Sequence, residues 1–189
     1  MKRLFLALAA LTIVASCGEI RNPAVAPPAE VARYAYKNTG PTSLRLYTVI
    51  NRRSGAGGHT ALGVNASERV IFDPAGSYKA EGVPRYGDVL YSASPAVEKS
   101  FQSAHARSTH YMSVVEIPVS PEVAEQALQL VKANGPVGEA FCAQSTSGIL
   151  KQLPGFQSVK QTFYPVTLEN EIKAMSIPGA KVTTLYEDD

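Results

Sequence analysis

Cysteine is scarce in this chain of 189 residues, which contains two cysteines and no tryptophan. Cys17 follows a short apolar run near the N-terminus, whereas Cys142 lies far along the chain. If Cys17 belongs to a processed and lipidated N-terminus, Cys142 is the single thiol of the mature chain and has no disulfide partner. A lone free cysteine in an exported protein is a candidate reactive thiol, because that compartment is oxidising.

Excess charge is also small, with 18 lysines and arginines against 16 aspartates and glutamates. Removal of Lys2 and Arg3 with a leader leaves 16 basic and 16 acidic residues, so the net charge of +2 belongs to the leader. Nucleic-acid binding requires a basic face, and nothing in this composition predicts a nucleic-acid partner. No apolar run beyond the N-terminus is long enough to span a bilayer.

Several motifs that bind cofactors or carry catalysis are missing. The run GAGG before His59 lacks the lysine of a phosphate-binding loop and the spacing of a dinucleotide fingerprint. The sequence has no Gly-x-Ser-x-Gly nucleophile elbow. His105 and His110 are five residues apart and do not share a helical face, which argues against a zinc site that combines them with Cys142. We therefore expect neither a metal nor another cofactor.

The N-terminus has the features of an export signal. Residues 1–3 are basic, residues 4–14 form a short apolar core, and small residues follow. The segment Val14-Ala15-Ser16-Cys17 resembles the lipobox of bacterial lipoproteins, which implies cleavage before Cys17 and acylation of its thiol and its new amino group. The alternative is an ordinary secretory signal in which Cys17 is incidental. Gly18 is not the aspartate that retains lipoproteins at the inner membrane, which favours the outer membrane, facing the periplasm.

Composition divides the chain into four segments: a signal peptide over residues 1–16, a lipidated N-terminus and tether over 17–42, a folded domain over 43–178 and a C-terminal tail over 179–189. The tether is rich in proline and alanine and lacks sustained periodicity. Three of its side chains are candidates for packing on the domain: Val31, Tyr34 and Tyr36.

Hydrophobic patterning predicts strands first and helices mainly later. The predicted strands cover residues 44–50, 89–91 and 111–119, in addition to a hairpin described below. Ser-Pro pairs at Ser94 and Ser120 predict the starts of two helices. A third helix is predicted to start between residues 139 and 142, and Thr167 is a candidate cap for the last. This order without βαβ alternation predicts an α+β fold, in which helices pack on an antiparallel sheet.

The segment over residues 55–76, GAGGHTALGVNASERVIFDPAG, is predicted to form a glycine-rich β-hairpin. His59 begins its first strand and Asp73 follows its second strand, so the hairpin brings an imidazole and a carboxylate to one end. A carboxylate that orients an imidazole makes it a tunable base. The alternatives are a surface histidine at a strand start and an aspartate that closes the Asp-Pro-Ala-Gly turn.

The turn of this hairpin leaves the register open. If Val64 lies opposite Arg69, position 59 faces position 74. If Val64 lies opposite Glu68, position 59 faces position 73. Only the second register, or a bulge, directs the Asp73 carboxylate at His59.

Cys142 is the candidate nucleophile, because it lies at the start of a predicted helix. A helix N-terminus supplies free N–H donors and positive potential, which stabilise a thiolate and a developing oxyanion. An unperturbed thiol is only slightly ionised at neutral pH, so a nucleophilic cysteine also needs a base, and His59 is the candidate. The alternative is a small buried apolar residue between Phe141 and Ala143.

Three segments together resemble the circularly permuted branch of the papain-like NlpC-type hydrolases, which includes lecithin-retinol-acyltransferase-like proteins. They are GGHTALGV around His59, FCAQSTSGIL around Cys142 and YPVTL over residues 164–168. In this branch the histidine strand precedes the cysteine helix, as it does here. The likeness covers about residues 44–175 and implies a circularly permuted papain-like architecture.

The resemblance implies that Cys142 is the nucleophile, His59 the general base and Asp73 the third polar residue of a thiol hydrolase. The expected reaction is cleavage or transfer of an acyl group at an amide bond. In an envelope lipoprotein the expected substrate is a cell-wall peptide. One alternative is a hydrolase or acyltransferase that acts on lipid esters or amides, for which the apolar residues around Cys142 are suited. Another is a lipoprotein that uses the same scaffold for binding without catalysis.

Overall fold

The computed structural model describes residues 28–37 and 40–188. The predicted signal peptide, the lipobox and Cys17 lie outside the described residues and stay predictions. Within the described ranges, no helix combines the length and apolar character needed to cross a membrane.

A seven-stranded antiparallel sheet forms the centre of the molecule, with the strand order β4-β5-β3-β2-β1-β6-β7. Every pairing between neighbouring strands is antiparallel. The strands are β1 (Ser43–Asn51), β2 (Gly57–Asn65), β3 (Arg69–Phe72), β4 (Arg85–Tyr86), β5 (Val89–Leu90), β6 (His110–Pro118) and β7 (Lys181–Leu185).

Five α-helices accompany the sheet in the described ranges: α1 (Pro28–Val31), α2 (Pro95–His105), α3 (Pro121–Asn134), α4 (Cys142–Leu150) and α5 (Pro165–Ala174). The two Ser-Pro starts are confirmed, because the hydroxyl oxygens of Ser94 and Ser120 each accept a hydrogen bond from the N–H three residues later. The predicted α+β class is also confirmed.

Helices cover both faces of the sheet, and the side chains of β1 alternate between two cores. Leu44 and Leu46 belong to the larger core, which also receives buried residues of α3, α4 and α5. Tyr47 and Val49 belong to the second core, in which Phe101 of α2 is fully buried. The helix that begins at Cys142 therefore packs on the opposite face of the sheet from α2.

The structure corrects the hairpin register. Val64 lies opposite Val70, so both predicted pairings, with Arg69 and with Glu68, are wrong. Asn65 pairs with Arg69 across a three-residue turn, whose hydrogen bond runs from the Ala66 N–H to a carbonyl oxygen two residues later. Turn residues without a clear type signal do not specify the register, which the pairing of the buried faces decides.

Two further differences concern the ends of elements, and a third result bears on the predicted tether. Thr167 does not cap the last helix, because α5 already begins at Pro165. Residues 181–185, placed in the predicted tail, form the edge strand β7 beside β6. Val31 of the predicted tether is buried in the larger core, whereas Tyr34 is exposed and Tyr36 bridges to Arg69 through its carbonyl oxygen.

Candidate active site

His59 and Asp73 form a direct contact at the start of β2. The His59 Nε2 atom lies 2.7 Å from the Asp73 Oδ1 atom. The Asp73 side chain is fully buried, whereas 16% of the His59 side chain is exposed. The imidazole is therefore held from the interior by a carboxylate and remains open to solvent on part of its surface.

The contact does not arise by cross-strand pairing. β3 ends at Phe72, opposite Leu62 of β2, and Asp73 is the first residue beyond it. The chain then turns, with a hydrogen bond of 3.0 Å from the Gly76 N–H to the Asp73 carbonyl oxygen. Continued by one residue, the observed register puts Asp73 level with Ala61, which shares a face of β2 with His59, so the carboxylate reaches the imidazole as a diagonal neighbour.

Cys142 is the first residue of α4, and its thiol lies beside the His59 side chain, near enough for each group to shift the pKa of the other. The backbone of Thr60 and Ala143 also lies beside the sulfur and lowers its pKa. Since Asp73 occupies Nε2 of the ring, Nδ1 is the nitrogen left for the thiol. The structure thus brings all three predicted site residues together in one chain of contacts, with the imidazole between the sulfur and the carboxylate.

These contacts lower the pKa of the thiol and raise the pKa of the imidazole. Burial raises the pKa of Cys142, but hydrogen bonds and the charge of His59 outweigh it and bring the pKa below its usual value. Burial lowers the pKa of His59, but its hydrogen bonds to Asp73 and Cys142 and their charges outweigh it and raise the pKa to about 10. Both shifts favour the charged pair, a thiolate beside an imidazolium, over the neutral pair.

Arg85 holds the second oxygen of the Asp73 carboxylate, a role that the sequence did not reveal. Its Nη2 atom donates to Asp73 Oδ2 and to the Tyr78 carbonyl oxygen, and Nη1 donates to the Asp73 carbonyl oxygen. Burial raises the pKa of Asp73, but the hydrogen bond and charge of His59 and the charge of Arg85 outweigh it and hold the pKa at about 2. The carboxylate stays ionised and fixed in orientation.

His105 is a second residue that sequence reasoning missed, because it considered His105 only as a possible zinc ligand. His105 ends α2, and its ring stacks on that of His59 with centroids 5.7 Å apart and planes 10° apart. Its Nδ1 atom lies 2.8 Å from the Phe101 carbonyl oxygen, which fixes the proton on that nitrogen. Burial lowers the pKa of His105, so a neutral ring lies against the imidazolium.

Each of His59, Asp73 and His105 offers one possible metal ligand, and these three atoms lie within 4.8 Å of one another. The geometry fits a metal poorly, because the lone pairs of nearly parallel imidazoles lie in separate planes and do not converge. In addition, His59 Nε2 is committed to Asp73, whose other oxygen is committed to Arg85. The cluster is organised by hydrogen bonds and opposite charges.

Aromatic side chains border the thiol. Phe141 precedes Cys142 and makes an edge-to-face contact with Phe163, with centroids 5.4 Å apart. Phe163 and Tyr164 are exposed, by 51% and 71%. They lead directly into α5, whose first residue packs so closely on Gly57 that no side chain fits there. The start of α5 is therefore fixed beside the start of β2, next to His59.

Comparison of this chain with protein-family models, curated proteins and solved structures finds no match.

Gly76 gives a direct test of the Asp73 geometry. A Cβ atom at this position would overlap the Asp73 carboxylate, so we expect Gly76→Ala to displace that group from His59. The expected results are a loss of about 1–3 kcal/mol in the free energy of unfolding and slower alkylation of Cys142 at mildly acidic pH. Gly58→Ala is the matched control, because its Cβ would make only an ordinary contact of 3.6 Å with His110. Equal behaviour of the two variants would contradict this geometry.

Proposed function

We propose that this protein is a thiol hydrolase that cleaves or transfers an acyl group at an amide bond. One observation carries the proposal: the His59 imidazole lies between the Asp73 carboxylate and the Cys142 thiol, at the N-terminus of a helix. A nucleophile, a base within hydrogen-bond reach and a third group that orients the base are the components of covalent acyl transfer.

In the first half of the reaction, the Cys142 thiolate attacks the carbonyl carbon of the substrate and forms a tetrahedral oxyanion. The first backbone N–H groups of α4 have no partner within the helix and are suited to hold this oxyanion. Collapse of the intermediate breaks the C–N bond, and the His59 imidazolium gives its proton to the departing amine. The products are a free amine and a thioester on Cys142.

In the second half, neutral His59 accepts a proton from a water molecule, whose oxygen attacks the thioester carbon. The C–S bond breaks, and the carboxylic acid product leaves Cys142 as a thiolate beside the imidazolium, which restores the starting state. An acceptor hydroxyl or amine in place of water gives acyl transfer. The Asp73 carboxylate keeps the ring oriented throughout and stabilises its charged form.

The order of these elements supports the proposed circularly permuted papain-like architecture. The histidine strand β2 comes before the cysteine helix α4, and both pack together in the larger core. With the resemblance in the segments around His59 and Cys142, this order favours the permuted branch of the NlpC-type hydrolases.

The proposed setting is the cell envelope, with the chain attached to the outer membrane through lipid on Cys17 after removal of a signal peptide. A hydrolase in that position has cell-wall peptides as its nearest amide substrates, and these are the substrates that we propose. The membrane is then a partner through the anchor alone.

A lipid ester or amide is the second candidate substrate, and the exposed aromatic side chains favour it. Phe163 contacts Phe141, the residue before the nucleophile, and Phe163 and Tyr164 are both exposed, which makes them available to an acyl chain. A protein that binds envelope components without catalysis is the third possibility and is distinguished by the same experiment.

The test is incubation of the full chain with muropeptides and, separately, with fatty-acyl esters and amides, with products identified by mass spectrometry. We expect amine release from muropeptides, and a loss on the order of 10⁴-fold in Cys142→Ala. Ser145→Ala, one turn further along α4, is the control and should retain activity. Fatty-acid release would favour the lipid substrate, whereas no turnover of either class would favour a binding protein.

A further inference from the structure

A short hairpin beside Asp73 connects the segment that carries the carboxylate with the segment that carries the thiol. β4 and β5 are joined by the two-residue turn Gly87–Asp88, with positive φ angles of 54° and 64°. Two-residue hairpins favour turns of this kind, because their twist matches that of the strands. The hairpin places Arg85 on the Asp73 carboxylate and Asp88 at its turn.

Asp88 is buried and uses all of its acceptor groups. Its Oδ2 atom accepts hydrogen bonds from the N–H groups of Val137, at 2.8 Å, and Ala75, at 3.0 Å. Its Oδ1 atom faces Arg85 at 3.4 Å, and its carbonyl oxygen accepts a bond of 2.8 Å from the Asp73 N–H. One residue thus contacts the turn that follows β3 and the loop that precedes α4.

The two partners of Asp88 lie close in sequence to the reacting groups. Ala75 is two residues from Asp73, within the turn that fixes the carboxylate. Val137 lies in the short loop between α3 and Cys142, in which the Phe141 N–H donates a hydrogen bond of 3.3 Å to the Gly138 carbonyl oxygen. A displacement of the loop at Val137 would therefore move the thiol, and a displacement of the turn at Ala75 would move the carboxylate.

The backbones of the hairpin and the loop also pack together. A Cβ atom on Gly87 would stand 3.4 Å from the Gly135 Cα atom, so the two glycines allow a close approach of main chains. Gly135 itself has a positive φ of 74°, where it ends α3. This approach brings the Val137 N–H within reach of the Asp88 carboxylate.

We infer that Asp88 is a positioning residue, whose carboxylate holds the Cys142 loop and the Asp73 turn in a fixed relation so that the thiol and the carboxylate meet the same imidazole. The hydrogen bonds of Asp88 support the positioning itself. The effect of this positioning on Cys142 reactivity rests on the proposed function. Asp88 touches neither substrate nor a reacting atom, and it acts through the loop and the turn.

Two substitutions separate the carboxylate from the backbone conformation. Asp88→Gly removes every side-chain bond and accepts the positive φ, whereas Asp88→Asn also tolerates this φ and retains a carbonyl oxygen for Val137 and Ala75. Glu125→Ala is the control, because Glu125 accepts a bond from the Ser67 N–H at the distant hairpin turn. All variants are made in the full chain.

Two measurements are needed, the rate of Cys142 alkylation by iodoacetamide as a function of pH and the hydrogen exchange of the Val137 N–H. In Asp88→Gly we expect exchange at Val137 to accelerate and alkylation at mildly acidic pH to slow by about tenfold or more, since small misplacements have large effects on reactivity. Asp88→Asn should retain the protection of Val137 and most of the wild-type rate, and Glu125→Ala should retain both in full.

Wild-type alkylation in Asp88→Gly would overturn the inference, whether or not Val137 remains protected. If Asp88→Gly does not fold, Asp88→Asn decides: protection together with wild-type reactivity supports the inference, and the loss of only one of them overturns it. Failure of the proposed function is recognised separately, since Cys142 in the wild-type chain would then react as an ordinary thiol while Val137 exchange still reported on the Asp88 bonds.

Discussion

Asp73→Ala is expected to reduce the free energy of unfolding by about 3–5 kcal/mol, because it leaves a buried arginine without its charged partner. Arg85 is only 5% exposed, and its remaining contacts are carbonyl oxygens and the more distant Asp88 carboxylate. Chemical denaturation at neutral pH, monitored by tyrosine fluorescence or circular dichroism, measures this loss.

A double-mutant cycle with Arg85→Met distinguishes the pairing from other effects of the substitution. Arg85→Met in the Asp73→Ala background removes the buried cation that the first substitution leaves without its nearer partner, so the double variant should be more stable than the sum of the single losses predicts. Additive losses, or a loss below about 1 kcal/mol in Asp73→Ala, would show that the Arg85–Asp73 pair does not hold this region together.

His59→Ala is expected to slow the alkylation of Cys142 at mildly acidic pH by roughly 100-fold, since a thiol without its imidazolium partner returns to its ordinary ionisation. The rate is followed by mass spectrometry of the peptide that carries Cys142, which separates this thiol from Cys17. At strongly alkaline pH the wild-type chain and the variant should converge, because both thiols are then ionised.

His110→Ala is the matched control for this experiment. His110 is the first residue of β6 and lies near Gly58 at the start of β2, but it bonds to Thr109 and not to the thiol. Alkylation should therefore proceed at the wild-type rate in this variant. A similar decrease in both histidine variants would indicate a general disturbance of the β2 end and would argue against a specific His59–Cys142 pair.

The parts of this structure that were predictable from sequence are those with local signals. Ser94 and Ser120 followed by proline fix two helix starts because capping involves only neighbouring residues. Likewise, the chain reversal before Cys142 indicates a helix start there. The hairpin pattern correctly placed His59 and Asp73 at one end of two neighbouring strands, although the register between those strands was wrong.

What could not be predicted depends on contacts between distant segments. Arg85 lies 12 residues beyond Asp73 and reaches it only because the Gly87–Asp88 turn folds β4 and β5 beside β3. His105 reaches His59 only because α2 packs on the face of the sheet opposite to α4. Neither residue has a neighbouring motif that marks it, since a buried arginine and a histidine at a helix end are also common in structural roles.

The central claim is that Cys142 is ionised beside a protonated His59, and the pH dependence of Cys142 alkylation in the wild-type full chain tests it most directly. The His59 pKa of about 10 and the lowered pKa of Cys142 predict a rate that rises with a midpoint below the ordinary thiol range and at lower pH than in His59→Ala. A rate that instead climbs steadily through pH of about 8.5, as for an unperturbed thiol, and that matches His59→Ala would contradict the account.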